Sequence, residues 1–266
     1  TELIVKATPL ILIGVGLSIG FKANVWNIGA EGQFTMGAIA GGGTALFLNT
    51  QESFLVLPAV LLMGILGGVV WGMIPAFLKT KFNANEILTS LMLSYVALLI
   101  LSYLVHGPWR DPGGYNFPES EIFSDFAMLP ILVEGTRLNL GTGFALLSVL
   151  IIYILLSRTV LGYQFKVVGL APAAAKHAGF DRAKLIWLSM IISGGLAGLA
   201  GISEVSGTIG QLLPSVSPGY GFTAIIVAFL GRLNPVGVLF AGLIMALTYI
   251  GGENAQIEIG LPAAVT

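Results

Sequence analysis

One carboxylate and two side-chain amides fall within seven residues at Asn27-Ile28-Gly29-Ala30-Glu31-Gly32-Gln33, and the flanking sequence is apolar. An ionisable group at membrane depth costs about 2.5–3.5 kcal/mol on insertion scales, so it faces a cavity or a partner. Gly29 and Gly32 let the backbone open or let another helix approach. Asn27, Glu31 and Gln33 therefore read as a broken helix start that lines a pathway or braces a polar interior. The competing reading puts Glu31 at the cytoplasmic interface, solvated or stabilised by the positive end of its own helix. The residues alone leave both open.

Other polar groups carry less information. Glu204, Ser206, Thr208 and Gln211, and later Glu253, Asn254 and Gln256, suit either contact with a polar solute or a hydrated loop. Covalent and metal chemistry find no support. Cysteine is absent, and the two histidines, His106 and His177, are far apart in sequence, so neither thiol catalysis nor a zinc site is expected. No phosphate-binding loop or HExxH is present. If ATP drives this protein, another polypeptide hydrolyses it.

A third polar region is Arg158–Lys184, and within it Ala171–Phe180 predicts a short helix. Pro172 suits its first turn, alanines fill its body, and Gly179 suits its C-cap. So short a helix needs a surface to dock on. Either it seats in a cytoplasmic partner, or the segment is an ordinary basic loop that orients the chain. Asn83-Ala84-Asn85-Glu86 reads as the cap of the helix that follows: the amides accept backbone N–H bonds and Glu86 suits the positive end.

The elements that must carry these groups are long and apolar. Charged residues make up 9% of the chain and hydrophobic ones 56%, with a mean hydropathy of +0.92. A soluble domain averages about 25% charged residues and cannot hide this much apolar surface. From Ile87 to Val105 nineteen residues carry no charge. As a helix they rise about 28 Å, close to the thickness of a bilayer's hydrocarbon core. Similar spans are predicted at 3–21, 25–48, 54–78, 140–156, 185–202 and 236–251. The stretch 222–230 is too short to cross as a regular helix. With Arg232, Asn234 and Pro235 it resembles a half-helix and turn, the kind of interruption that lines transport paths, or else a helix buried in protein. The chain is therefore expected to be an all-α, polytopic membrane bundle with broken or short helices.

Charge orients it. Arg158, Lys166, Lys176, Arg182 and Lys184 oppose only Asp181, so 158–184 is expected in the cytoplasm. Arg110 and Arg137 are outnumbered by Asp111, Glu119, Glu121, Asp125 and Glu134, so the long loop 107–139 is expected outside. Lys22, Lys79, Lys81 and Arg232 then fall inside, and 203–219 outside. Gly37/Gly41, Gly64/Gly68/Gly72 and Gly194/Gly198 have the spacing of close helix contacts, although glycine is also simply common in such helices. The chain starts at Thr1 and stops in the apolar run Gly260–Thr266. We read residues 1–266 as one transmembrane domain cut at both ends.

Asn27–Gln33, Asn85–Tyr95, the alanine-rich segment through Gly179-Phe180, and the run from Gly219-Tyr220-Gly221-Phe222 through Gly231-Arg232-Leu233-Asn234-Pro235 resemble the permease subunits of bacterial ABC importers. The nearest branch holds the ribose and other simple-sugar permeases and the nucleoside (guanosine-type) permeases. The resemblance covers nearly the whole chain. It implies the fold of the ribose/vitamin B12 importer permeases and a multi-pass place in the bacterial inner membrane. It implies alternating access driven by a separate ABC ATPase, which carries ATP and magnesium; this chain would hold no cofactor. It also implies an extracytoplasmic solute-binding protein and a second permease, more readily a different chain than a copy. Nucleic acid has no place among these partners. Carried onto this sequence, Ala171, Pro172, Ala174, Ala175, Lys176, Ala178, Gly179 and Phe180 would form the coupling helix in the ATPase cleft. Asn27, Glu31, Gln33, Tyr220, Phe222 and Asn234 would belong to the pathway or its core. Arg at Ala175 or Gly179 is then expected to uncouple ATP hydrolysis from transport.

Asn27–Gln33 and the long 107–139 insertion lean toward nucleosides. Simple sugars are the alternative, and branched-chain amino acids a weaker one. An ion-coupled secondary transporter shares the composition, but it needs ionisable residues deep in several spans, and only Glu31 qualifies. A membrane enzyme lacks its catalytic residues.

Overall fold

The computed structural model of the chain describes residues 1–259. The reading of Gly260–Thr266 therefore lies outside the described residues. The helices run in the order α1 (Glu2–Lys22), α2 (Ala30–Phe47), α3 (Val56–Phe82), α4 (Glu86–His106), α5 (Gly141–Arg158), α6 (Val160–Leu170), α7 (Pro172–His177), α8 (Arg182–Glu204), α9 (Tyr220–Leu230) and α10 (Pro235–Ile259). Among the described residues β structure is limited to one antiparallel bridge, Ile131 to Asn139. Among the described residues six helices are long and apolar enough to cross a membrane: α1, α3, α4, α5, α8 with its continuation, and α10. The expected span at 25–48 is not among them. Its helix starts only at Ala30, and Glu31, Gln33 and a run of Gly and Thr lower its hydropathy.

Burial explains this arrangement. Helix α1 is apolar on every side and has 83% of its most apolar window buried, so it forms the axis of the bundle. Helix α3 inverts the pattern of a soluble helix. Gly64, Gly68 and Gly72 face inward, while Leu62 (57%), Leu66 (42%) and Val70 (58%) are exposed. That distribution suits a helix whose outer face meets lipid and whose inner face must approach others closely. The close approach is real. A Cβ at Gly68 would collide with the Gly194 carbonyl, one at Gly198 with the Gly64 carbonyl, and one at Gly37 with Gly198. The three spaced glycine sets thus form one seam that joins α2, α3 and α8.

The connections segregate to two ends. At one end the 107–140 segment is pinned to the chain after α8: Ser120 N–H donates to Leu212 O (3.0 Å), Phe123 to Gly210 O (2.9 Å) and Leu129 to Ser206 O (2.9 Å). Arg137 pairs with Glu2 (2.6 Å) and Lys6 with Glu253 (2.7 Å) at this loop end. At the basic end, Lys79 pairs with Glu86 (2.8 Å) and Trp187 donates to Thr80 (3.1 Å). Asn83 ends α3 in the left-handed region (φ 51°), and Asn85 caps α4 by accepting from the Ile87 (3.0 Å) and Leu88 (3.4 Å) amides.

Three boundaries differ from expectation. Helix α8 does not stop at Ile202; it reaches Glu204 and continues as a π-helical turn, Val205–Ile209, which ends at Gly210 (φ +85°). Helix α10 continues past Gly251 to Ile259. Polar residues ended the apolar runs without ending the helices, because their side chains find partners at the loop end. Glu253 of α10 pairs with Lys6 (2.7 Å), and the Thr208 hydroxyl bonds back to the Glu204 carbonyl (2.6 Å). The third difference is α6, an extra helix inside the basic segment. Thr159 caps it by accepting from Gly162 N–H (3.2 Å), and Phe165 and Val168 are buried.

Candidate functional site

The segment between α1 and α2 turns at Asn24 (φ 55°) and runs non-helically to Gly29. Non-helical backbone inside an apolar bundle must find partners within the protein. Asn27 supplies one, at Gly29, and ties the segment to neighbouring side chains. Its Nδ2 donates to Gln33 Oε1 (2.8 Å) and Ser193 Oγ (2.9 Å), and its Oδ1 accepts from Gln33 Nε2 (3.1 Å) and the Gly29 amide (3.1 Å). Serines of α4 supply the rest: Ser90 Oγ accepts from Ile28 N–H (3.2 Å) and Ser94 Oγ from Gly32 N–H (3.2 Å). Helix α2 lacks a cap of its own, and the orphan amides at its start are satisfied from α4.

Glu31 is 2% exposed. Its Oε2 accepts the Gly221 N–H at 2.6 Å, and the Ser217 hydroxyl lies beside the same carboxylate. Ser217 Oγ itself accepts from Gly219 (3.0 Å) and Tyr220 (2.9 Å) N–H. Glu31 and Ser217 together therefore cap α9 across the bundle, where an N-terminus favours negative charge. Tyr220 is buried between Phe34 and Tyr249, with ring centroids 6.1 Å from each.

The structure brings Asn27, Glu31, Gln33 and Tyr220 into one hub, with Phe222 half-buried two residues further along α9. Glu31 sits in the first turn of α2, but its carboxylate is not solvated: it is enclosed and holds α9. Asn234 does not join them. It is exposed and starts α10, its Oδ1 accepting from Val236 N–H (3.0 Å). The eleven residues of α9 put it about 16 Å from Tyr220, because the chain reverses there through Arg232 (φ 54°) and Leu233 (φ 55°). Sequence reasoning missed Ser90, Ser94, Ser193 and Ser217. The available signal was Ser90 and Ser94, four apart in an otherwise apolar helix and hence on one face.

If Glu31 caps α9, Glu31→Leu should leave the Gly221 amide buried and unpaired and cost about 1–3 kcal/mol. Glu31→Gln keeps an acceptor and should retain most of the stability. Thermal unfolding of the purified variants in detergent checks this. Equal midpoints for Leu and Gln would remove the capping role.

The second site is the segment Ala171–Phe180. Helix α7 ends in the expected manner: Phe180 N–H donates to Ala175 O (3.0 Å), Gly179 N–H to Lys176 O (3.1 Å), and Gly179 adopts φ +75°. That is a Schellman motif. Ala171, Pro172, Ala174, Lys176, Ala178 and Gly179 are exposed, and Phe180 is half-buried with its ring 6.2 Å from that of Tyr163. Ala175 is 3% exposed and faces its own chain. An Arg at Ala175 would unseat α7, and any side chain at Gly179 would strain its cap. Neither variant tests docking cleanly, and the exposed Ala174 replaces them. Helix α6 carries α7 and meets the end of α1, where a Cβ on Gly169 would collide with the Lys22 carbonyl. The exposed helix is thus joined through α6 to the corner that leads into the hub.

A family model described as branched-chain amino acid transport system / permease component matches residues 1–264. A glucose ABC transporter permease protein of Haloferax volcanii is 39% identical over all of this chain and 72% of its own length. A guanosine ABC transporter permease protein of Bacillus subtilis is 33% identical, covering 99% of this chain and 76% of the relative. A nucleoside ABC transporter permease protein of Lactococcus lactis is 30% identical, covering 97% and 72%. Among solved structures, an ABC transporter assigned to the metal-chelate type, in an inward-facing conformation, superposes with a TM-score of 0.54 at 19% identity. It covers 98% of this chain and 80% of that one, and at that identity it supports the fold alone.

Proposed function

We propose that this chain, which belongs to the family of branched-chain amino acid transport system / permease components, moves nucleosides into the cell on ATP hydrolysed by a partner subunit. It is a multi-pass plasma-membrane permease of an ABC importer, and the permease component is the non-catalytic part of such a system. The observation that carries the coupling is α7: an exposed, small-residue helix that starts at Pro172, ends in a Schellman motif and is set on α6, which meets the end of α1.

In this reading the basic end lies in the cytoplasm and α7 seats in the ATPase, which holds ATP and magnesium. The loop end, with its pinned 107–139 segment, faces outside and receives a loaded solute-binding protein. A second, different permease completes the pathway. The binding protein and ATP favour different permease conformations, since a ligand with equal affinity for both shifts nothing.

The guanosine and nucleoside permeases among the relatives support a nucleoside as solute. A second reading, a simple sugar, is favoured by the glucose permease at 39% identity. Uptake of radiolabelled guanosine, uridine, ribose and glucose, before and after deletion of this gene, separates them. Loss of guanosine and uridine uptake alone is expected. Loss of ribose or glucose uptake alone would move the chain to the sugar branch.

A further inference from the structure

Between the first turn of α9 and the outer half of α10 lies a cavity of about 550 Å³, within the size range of small-molecule sites. Its walls include Thr223, Thr248, Tyr249, Glu253 and Gln256. From this lining we infer that the cavity is the solute's first station in the membrane domain, built for a neutral, flat-ringed and hydroxyl-rich molecule such as a nucleoside. The inference rests on the importer reading above and adds the place and chemistry of binding.

The lining selects in three ways. Three hydroxyls and a carboxylate line the walls; each is bonded within the chain, yet their oxygens keep acceptor lone pairs that suit the hydroxyls of a ribose. Glu253 makes the walls acceptor-rich, and Lys6, the cation beside it, is already engaged at 2.7 Å. Among the described residues the lining includes no cation, so a phosphate would lose its hydration there without gaining an ionic partner, and nucleotides are disfavoured. Tyr249 presents an aromatic ring whose position is fixed twice: its hydroxyl shares a 2.7 Å hydrogen bond with Thr223, and its ring packs edge-on to buried Tyr220. A ring held in this way is a pre-organised surface for a flat base.

The cavity is also tied to the hub. Thr223 lies two residues after Gly221, whose amide Glu31 holds. The wall of the cavity and the start of α2 thus share one hydrogen-bonded junction, and movement of the α1–α2 corner reaches the solute's surroundings without a long relay.

The chain contains no cysteine, so a single introduced thiol reports on this place alone. Thr248→Cys is conservative at an exposed position that lines the cavity. In the assembled transporter, with cysteine-free partner subunits, a charged membrane-impermeant thiol reagent added outside should label it. Saturating guanosine or uridine should slow labelling at least about threefold, while guanosine monophosphate should not. Labelling of Tyr115→Cys, 93% exposed on the 107–139 segment, should be unchanged by any of them. Failure of Thr248→Cys to label, or labelling at the same rate with and without nucleoside, overturns the cavity as the solute station. Protection by ribose or glucose but not by nucleosides overturns the proposed solute class. Guanosine uptake by the same cells tells the two failures apart: intact uptake without protection removes the cavity and leaves the importer reading standing.

Discussion

Replacing Ala174 by Arg is expected to reduce uptake about thirtyfold or more while the permease stays folded in the membrane. Ala174 lies mid-helix in α7, exposed, among alanines that let a partner surface approach closely. A guanidinium there adds a long charged side chain to a face proposed to be buried against the ATPase. Truncating or blocking a central interface residue commonly costs 2 kcal/mol or more, about thirtyfold in an equilibrium. The substitution touches no interior contact, so membrane abundance and thermal stability should match those of the parent chain. Ala174→Ser should behave as the parent. ATPase activity of the assembled transporter should no longer respond to the loaded binding protein. Parental uptake by the Arg variant, at equal abundance, would remove α7 from the coupling path.

Gly198→Leu should have the opposite signature, with the folded permease itself lost. A Cβ at Gly198 already meets the Gly64 carbonyl and lies 3.0 Å from the Gly68 Cα, and the rest of a leucine has nowhere to go. Overpacking a core costs about 1–3 kcal/mol when side chains can yield. Here the obstruction is backbone on a neighbouring helix, so α3 and α8 must separate along the whole seam. The loss should reach a large share of the 5–15 kcal/mol that holds a typical domain together. Gly251→Leu is the control, because a Cβ there meets nothing within 4 Å. Size-exclusion profiles of fluorescently tagged variants in mild detergent provide the measurement. The Gly198 variant should give no monodisperse peak and the Gly251 variant a normal one. A normal peak from Gly198→Leu would mean that the seam does not hold the helices as tightly as described.

The bundle was legible in the sequence where charge and hydropathy act alone. The charge-free run 87–105 became α4, and Pro172 with Gly179 delimited α7 as its capping chemistry requires. The glycine spacings marked the seam, though only the structure tells which sets meet. Legibility failed where a residue's partner lies far along the chain. Glu31 was recognised as costly, but its partner is a backbone amide at Gly221, a group every sequence has everywhere. Ser193 and Ser217 answer buried donors and acceptors that no local pattern predicts. Asn234 was grouped with Tyr220 because the family resemblance runs over both, yet α9 separates them along its length. The end of α8 was placed too early because Ser203 and Glu204 look like a loop start, while in the fold they continue a helix into a π-helical turn. The helix α6 was hidden by its basic neighbours, although Thr159 and the apolar Phe165 and Val168 were its signal.

The most direct test of an ATP-driven importer is guanosine uptake in cells whose partner ATPase carries a hydrolysis-blocking substitution, with the permease at normal abundance. An ABC permease predicts that uptake falls to the level of the permease deletion and that a protonophore, with cellular ATP maintained, leaves parental uptake unchanged. Guanosine uptake that persists without ATP hydrolysis and collapses with the protonophore would contradict it, and would make the chain an ion-coupled transporter.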